Sequence, residues 1–121
     1  ASDVYKRQSL FKKAGAKYVV LTSKHHDGFC LWPSPESGGY NSVEGAAKRD
    51  LLGELNASVK NAGIKSGFYY SLYEWQHPDY PKNVEKYVDQ YMLPQFKDAV
   101  QRYRPDIIFS DGGNHYFNTS L

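Results

Sequence analysis

Three short runs of near-continuous apolar residues divide this chain and constrain its fold more than any other feature. They are Tyr18-Val19-Val20-Leu21-Thr22, Gly67-Phe68-Tyr69-Tyr70-Ser71, and Ile107-Ile108-Phe109 behind Arg104-Pro105-Asp106. Strands that read as continuous apolar runs, without polar alternation, belong to parallel sheets. A parallel sheet needs a crossover between strands, and each interval here carries a helical pattern. Ser9 to Ala14 reads as the last turns of a helix stopped by Gly15. Asp50 opens a second helix, with Leu51, Leu52, Leu55 and Val59 on one face and Gly63 closing it. A third starts near Asn83 and carries a stripe from Val84 and Tyr87 through Phe96 to Tyr103; Pro94 inside it predicts a kink. The order is α-β-α-β-α-β, with no internal repeat or linker.

The long, polar connections all follow strands. Ser23 to Lys48, with Pro33, Pro35 and Gly38-Gly39, follows the first, and Leu72 to Lys82 follows the second. A βα succession with elaborated loops at the strand C-termini suits a (β/α)8 barrel. A Rossmann sheet would open with a Gly-rich turn after its first strand, and none is present. Three strands cannot close a barrel, so the expected fold class is α/β, a partial (β/α)8 barrel of about three βα units.

The strand ends also gather the chemistry. Asp111 leaves the third strand into Gly112-Gly113; from position alone it could be a nucleophile, a metal ligand, a general base or a turn cap. Adjacent His25 and His26 diverge, which suits them to bonding several hydroxyls of one ligand better than to sharing a metal. A metal site of one of them with Asp111, or plain surface histidines, remain alternatives. Tyr69 and Tyr70 alternate across the second strand, so one faces the interior and the other the helices. Glu74 is a candidate second carboxylate for Asp111. Trp32 and Trp75 are candidate stacking platforms, or packing residues beneath their loops.

Composition narrows the partners. Aromatics are 16% of residues, in keeping with a sugar-binding cleft or with a Tyr-rich core. Net charge is +2 with both signs mixed along the chain, so a nucleic-acid partner is not expected. The single Cys30 excludes an intrachain disulfide and a Cys-based zinc site. No stretch approaches the roughly 18 apolar residues of a membrane span. The chain begins without Met, its one Met is Met92, and residues 1–8 fit no element well. We read 1–8 as a non-native or disordered lead and 9–121 as a fragment of a larger catalytic domain.

Four segments together resemble one known family. Lys24-His25-His26-Asp27-Gly28-Phe29 is similar to the KHH(D/E)GF segment of the α-L-fucosidases of glycoside hydrolase family 29. Arg49-Asp50-Leu51-Leu52-Gly53-Glu54-Leu55 is similar to its RDLVGEL helix start. Gly67 to Trp75 resembles its GxYxSxxEW strand, and Arg104 to Gly112 its YKPDLIWSDG strand. The resemblance spans about residues 10 to 112, in the family's order and spacing.

That resemblance implies a (β/α)8 glycosidase releasing terminal α-linked L-fucose with retention and without cofactor or metal. By motif, Asp111 is the nucleophile, His25 and His26 bond fucose hydroxyls, and Tyr69 lines the same subsite. Trp32, Trp75 and Glu74 complete the expected substrate-binding set, Glu74 not as the acid/base. The acid/base is expected beyond Leu121, and a further sugar-binding His and a carboxylate upstream of Ala1. Where the family has an acidic or small residue and then Trp after Asp-Gly, this chain has Gly113-Asn114-His115, with Tyr116-Phe117 as a substitute aromatic. The implied partner is a fucosylated glycan or glycoconjugate; homo-oligomerisation of the full-length parent stays open. Family habit implies a secreted, periplasmic or lysosomal enzyme. Competing readings are a barrel glycosidase for another sugar, a non-catalytic fucose-binding barrel, and a metal-dependent hydrolase. Asn56-Ala57-Ser58 and Asn118-Thr119-Ser120 are formal glycosylation sequons.

Overall fold

The computed structural model describes residues 9–75, 77–80 and 82–111. The expected lead over 1–8, the segment Gly112 to Phe117 and the sequon at Asn118 lie outside the described residues. Residues 9–13 are helical (α1). There follow β1 (Tyr18–Lys24), a 3-10 turn (Pro35–Ser37), α2 (Leu51–Asn61), β2 (Lys65–Ser71), α3 (Val84–Tyr87), a π-helical turn (Val88–Met92), α4 (Leu93–Tyr103) and β3 (Ile107–Asp111). The strands form one parallel sheet in the order β1-β2-β3. The α-β-α-β-α-β order and the parallel sheet are those the apolar runs predict.

Register explains which residues become core. Leu21 stands opposite Phe68, and Phe68 opposite Ile108. Leu21, Phe68 and Tyr70 share a face and pack against Leu52 of α2 and Met92 and Ala99 of the long helix. Phe68 meets the edge of Tyr103 at 6.1 Å and Tyr70 meets Phe96 at 5.5 Å. Each fully buried side chain of this size contributes about 1.5–3 kcal/mol of transfer free energy. Both crossover helices therefore cover the same face of the sheet. The opposite face keeps Tyr18, Val20 and Phe109 exposed.

Local chemistry sets the helix ends. The Asp50 carboxylate caps α2 by accepting from the Gly53 N–H at 2.9 Å. The chain leaves α2 through Gly63 at φ +74, a left-handed conformation that costs glycine nothing. Asn56 on α2 is 6% exposed, and its amide donates to the Tyr103 carbonyl at 3.0 Å. That sequon therefore faces the core and is closed to a glycan in the folded chain. In the long helix Pro94 lacks the N–H an α-turn would use. The turn before it widens to the π form, with the Leu93 N–H bonded to the Val88 carbonyl. The predicted proline disturbance thus takes the shape of a π-turn.

The long connection after β1 is ordered by its own polar groups. Asn41 Oδ1 accepts from the Val43 and Glu44 N–H groups, and the Ser42 hydroxyl donates to the Arg49 carbonyl. Single bridges tie Cys30 to Lys24 and to Asn41. Beneath this connection Trp32 is wholly buried, its Nε1–H donating to Asp98 of α4 at 2.9 Å. Among the described residues, no helix is long and apolar enough to cross a membrane.

Candidate functional site

An irregularity in β1 decides which groups reach the site. Thr22 pairs with Tyr69, but the next pair is Lys24 with Tyr70, so Ser23 is a surplus residue in the ladder. Strict alternation would set Ser23 with the helices and Lys24 on the opposite face. The bulge absorbs Ser23, whose hydroxyl donates to the Tyr69 carbonyl at 2.7 Å. Lys24 then turns toward the helices and His25 toward the other face. There the His25 ring lies 5.7 Å from Tyr69 and 4.2 Å from His26.

His26 is held from several directions. Its Nδ1 is 2.5 Å from the Ser71 hydroxyl, and that hydroxyl is 2.9 Å from the Tyr73 carbonyl. Serine has one hydrogen to give and a carbonyl can only accept, so the Ser71 proton goes to Tyr73. His26 Nδ1 must then carry the donated hydrogen, which leaves Nε2 as the acceptor of the neutral ring. The His26 carbonyl accepts from the Trp75 N–H at 2.9 Å, and its ring lies 5.5 Å from Tyr73 and 5.3 Å from Trp75. Trp75 is 71% exposed, so its indole is available as a platform. Ser71 in turn is the register partner of Asp111 at the end of β3.

The structure thus brings His25, His26, Tyr69 and Trp75 together at the C-terminal ends of β1 and β2, with the Asp111 backbone one strand away. Two expected members do not join them. Trp32 takes the packing alternative, because its ring is sealed between the connection and α4. Glu74, expected in the sugar subsite, is 6% exposed and turns toward the helices. It lies 3.3 Å from Lys24 Nζ and accepts from the Tyr91 hydroxyl at 2.6 Å. Glu74 also borders a cavity of about 250 Å³ with Asp27, Glu36, Tyr40, His77 and Tyr91, which none of His25, His26 or Tyr69 lines.

Lys24 is the residue that sequence reasoning overlooked. It is fully buried, 3.2 Å from the Tyr70 hydroxyl and over the rings of Tyr70 and Tyr91 at 4.4 and 5.1 Å. Burial lowers its pKa, and the Glu74 charge opposes that shift. Burial likewise raises the Cys30 thiol to about 12 and lifts the phenols of Tyr70, Tyr87 and Tyr91. These phenols stay neutral donors and Cys30 stays a thiol, so this cluster supports structure and supplies no nucleophile.

With this geometry in view, the likeness to known proteins is extensive. The family described as Alpha-L-fucosidase matches residues 3–120. Tissue alpha-L-fucosidase of Rattus norvegicus is 50% identical over 109 residues, covering 85% of this chain and 24% of that protein. The chain therefore spans about a quarter of the length of that curated relative. The crystal structure of Thermotoga maritima alpha-fucosidase in complex with fucose superposes with a TM-score of 0.78 at 39% identity, covering 91% of this chain and 28% of that one. A Bacteroides thetaiotaomicron alpha-L-fucosidase GH29, solved as a trapped covalent intermediate with 2-fluoro-fucosyl fluoride, gives 0.83 at 34% identity, with 91% and 27% covered.

Proposed function

This chain belongs to the α-L-fucosidase family, and we propose that it forms about three of the eight βα units of a retaining glycosidase barrel that releases terminal α-linked L-fucose. Two features of the fold support the barrel. Its strands are parallel and in sequential order, and both crossover helices cover one face, leaving the other for a lumen. A doubly wound sheet would carry helices on both faces.

The observation that carries the function is the convergence of His25, His26, Tyr69 and the Asp111 backbone at one end of the sheet. In the proposed reaction the Asp111 carboxylate attacks the anomeric carbon as the glycosidic C–O bond breaks. The departing oxygen takes a proton from an acid supplied by sequence outside this chain. Water, deprotonated by the same group, then attacks the anomeric carbon and frees Asp111, so two inversions give net retention. His26 Nε2 accepts a hydroxyl hydrogen from the sugar, and His25 and Tyr69 complete the polar wall. Trp75 offers a ring face to apolar C–H groups at the rim. The covalent intermediate reported for the Bacteroides relative supports the nucleophilic role.

The test is hydrolysis of an aryl α-L-fucoside by the full-length protein, wild type beside Asp111→Gly, with and without azide. Near-complete loss of turnover in the variant, with azide restoring it as a fucosyl azide, is the expected result. Undiminished turnover by Asp111→Gly removes Asp111 as nucleophile, and a wild type that binds fucose without cleaving it makes the barrel a binding module.

A further inference from the structure

Glu74 lies outside the sugar-facing group, yet the residues on either side of it both contact His26. Its chain neighbours Tyr73 and Trp75 both hold His26: Tyr73 through its carbonyl on the Ser71 hydroxyl and its ring edge, Trp75 through its N–H and its ring. From the end of β1 and the loop after it, Lys24 and Gly28 each lie two residues from His26, and both approach the Glu74 carboxylate. Lys24 does so as an ion pair at 3.3 Å. Gly28, at φ +82, leaves no room for a side chain, since a Cβ there would sit 2.9 Å from Glu74 Cδ. The carboxylate is anchored from the helix by the Tyr91 hydroxyl at 2.6 Å. The Tyr87 hydroxyl lies 3.5 Å from it and gives its one hydrogen to the Leu72 carbonyl at 3.0 Å, tying the start of the same loop to the helix.

We propose that Glu74, clamped by Lys24 and Tyr91, is a positioning residue that sets the orientation of His26 toward the sugar by locking the loops after β1 and β2 together. The reasoning rests on the fucosidase reading only for the identity of the ligand. A buried ion pair adds little net stability, whereas one partner left alone is strongly destabilising. The part this pair plays here is geometric: it joins the end of β1 to the loop after β2 at a carboxylate whose chain neighbours Tyr73 and Trp75 both contact His26.

Three variants of the full-length protein separate positioning from stability. Glu74→Gln strands Lys24, so both melting temperature and fucoside affinity are expected to fall. The double variant Lys24→Met with Glu74→Gln buries no lone charge and regains the melting temperature, but KM stays about tenfold or more above wild type. Tyr91→Phe deletes only one hydroxyl; it is expected to raise KM severalfold with the melting temperature within about 3 °C. Recovery of KM together with melting temperature in the double variant, or an unchanged KM in Tyr91→Phe, overturns the proposal. Should the wild type turn over no α-fucoside, the fucosidase reading fails while positioning is still decided by crystal structures of these variants. An imidazole moved off Ser71 upholds it, and one left in place refutes it.

Discussion

Ser71→Ala probes the hydrogen-bond relay directly, because it deletes one oxygen that serves two partners. The side chain is fully buried, accepts from His26 Nδ1 at 2.5 Å and donates to the Tyr73 carbonyl at 2.9 Å. Each bond is worth about 0.5–1.5 kcal/mol net, so the folded state should lose about 2 kcal/mol. The larger consequence concerns the tautomer. Without an acceptor at Nδ1 the neutral ring has no reason to keep its hydrogen there, and Nε2 changes from acceptor to donor. A sugar hydroxyl bound as proposed would then face a donor in place of an acceptor, and the ring is free to turn. Losing one oriented neutral hydrogen bond and some alignment costs about 1.5–3 kcal/mol in the transition state, or about 10- to 100-fold in kcat/KM. Steady-state hydrolysis of an aryl α-L-fucoside by the full-length protein measures this, and 15N spectra of the imidazole report the tautomer. A kcat/KM within twofold of wild type, or a wild-type His26 with its hydrogen on Nε2, would refute the relay.

Two further outcomes follow from the packing and the buried thiol. Gly53→Ala should destabilise the fold, against helix propensity, which favours Ala by about 1 kcal/mol. A Cβ there would sit 2.5 Å from Asp50 Oδ2 and 2.9 Å from Tyr103 Cε1, disturbing both the cap and the Tyr103–Asp50 hydrogen bond. These are worth about 1 and about 1.5–3 kcal/mol, so urea unfolding should show a net loss of about 2 kcal/mol, and a gain contradicts the reading. For Cys30, the folded thiol holds its proton to about 12 while the unfolded chain releases it near 9.0. Its raised folded pKa means stability is full below pH 9 and declines as pH rises toward 12, by at most about 1.4 kcal/mol per pH unit. Cys30→Ser should make that decline shallower between about pH 9 and 10, below the range in which unfolded tyrosines ionise, and an unchanged slope there in urea titrations would show that the thiol is not its source.

Much of this architecture is legible in the chain because it rests on local patterns. Strands show as apolar runs, α2 as Asp50 with leucines at helical spacing, and its stop as Gly63. The grouping of His25, His26 and Tyr69 follows from their places at strand ends. What escapes the sequence depends on contacts distant along the chain. Nothing near Lys24 in the chain signals its burial, because the bulge turns it onto Tyr70, 46 residues away. Trp32 reads equally as platform or filler, and the choice is made by Asp98 on α4. Glu74 is drawn inward by Lys24 and Tyr91, and no composition rule signals that an acid after a strand will turn back toward the helices. Pro94 announces a disturbance, but its form as a π-turn depends on the carbonyl geometry of the turn before it.

The surplus residue in β1 also makes the strand asymmetric with respect to changes in length. Side-chain facing in a strand is a matter of parity: removing one residue reverses every position on one side of the cut. From Tyr18 to Lys24, position 23 is the exception, since it is already left out of the count. A chain shortened at Ser23 would still present Lys24 to the helices and His25 to the opposite face. Shortened at Thr22 instead, with the bulge kept in place, it would reverse the strand upstream of the cut, sending Leu21 out of the core and Val20 into it. The segment thus has one seam at which an insertion or deletion can be absorbed, two residues before the first histidine.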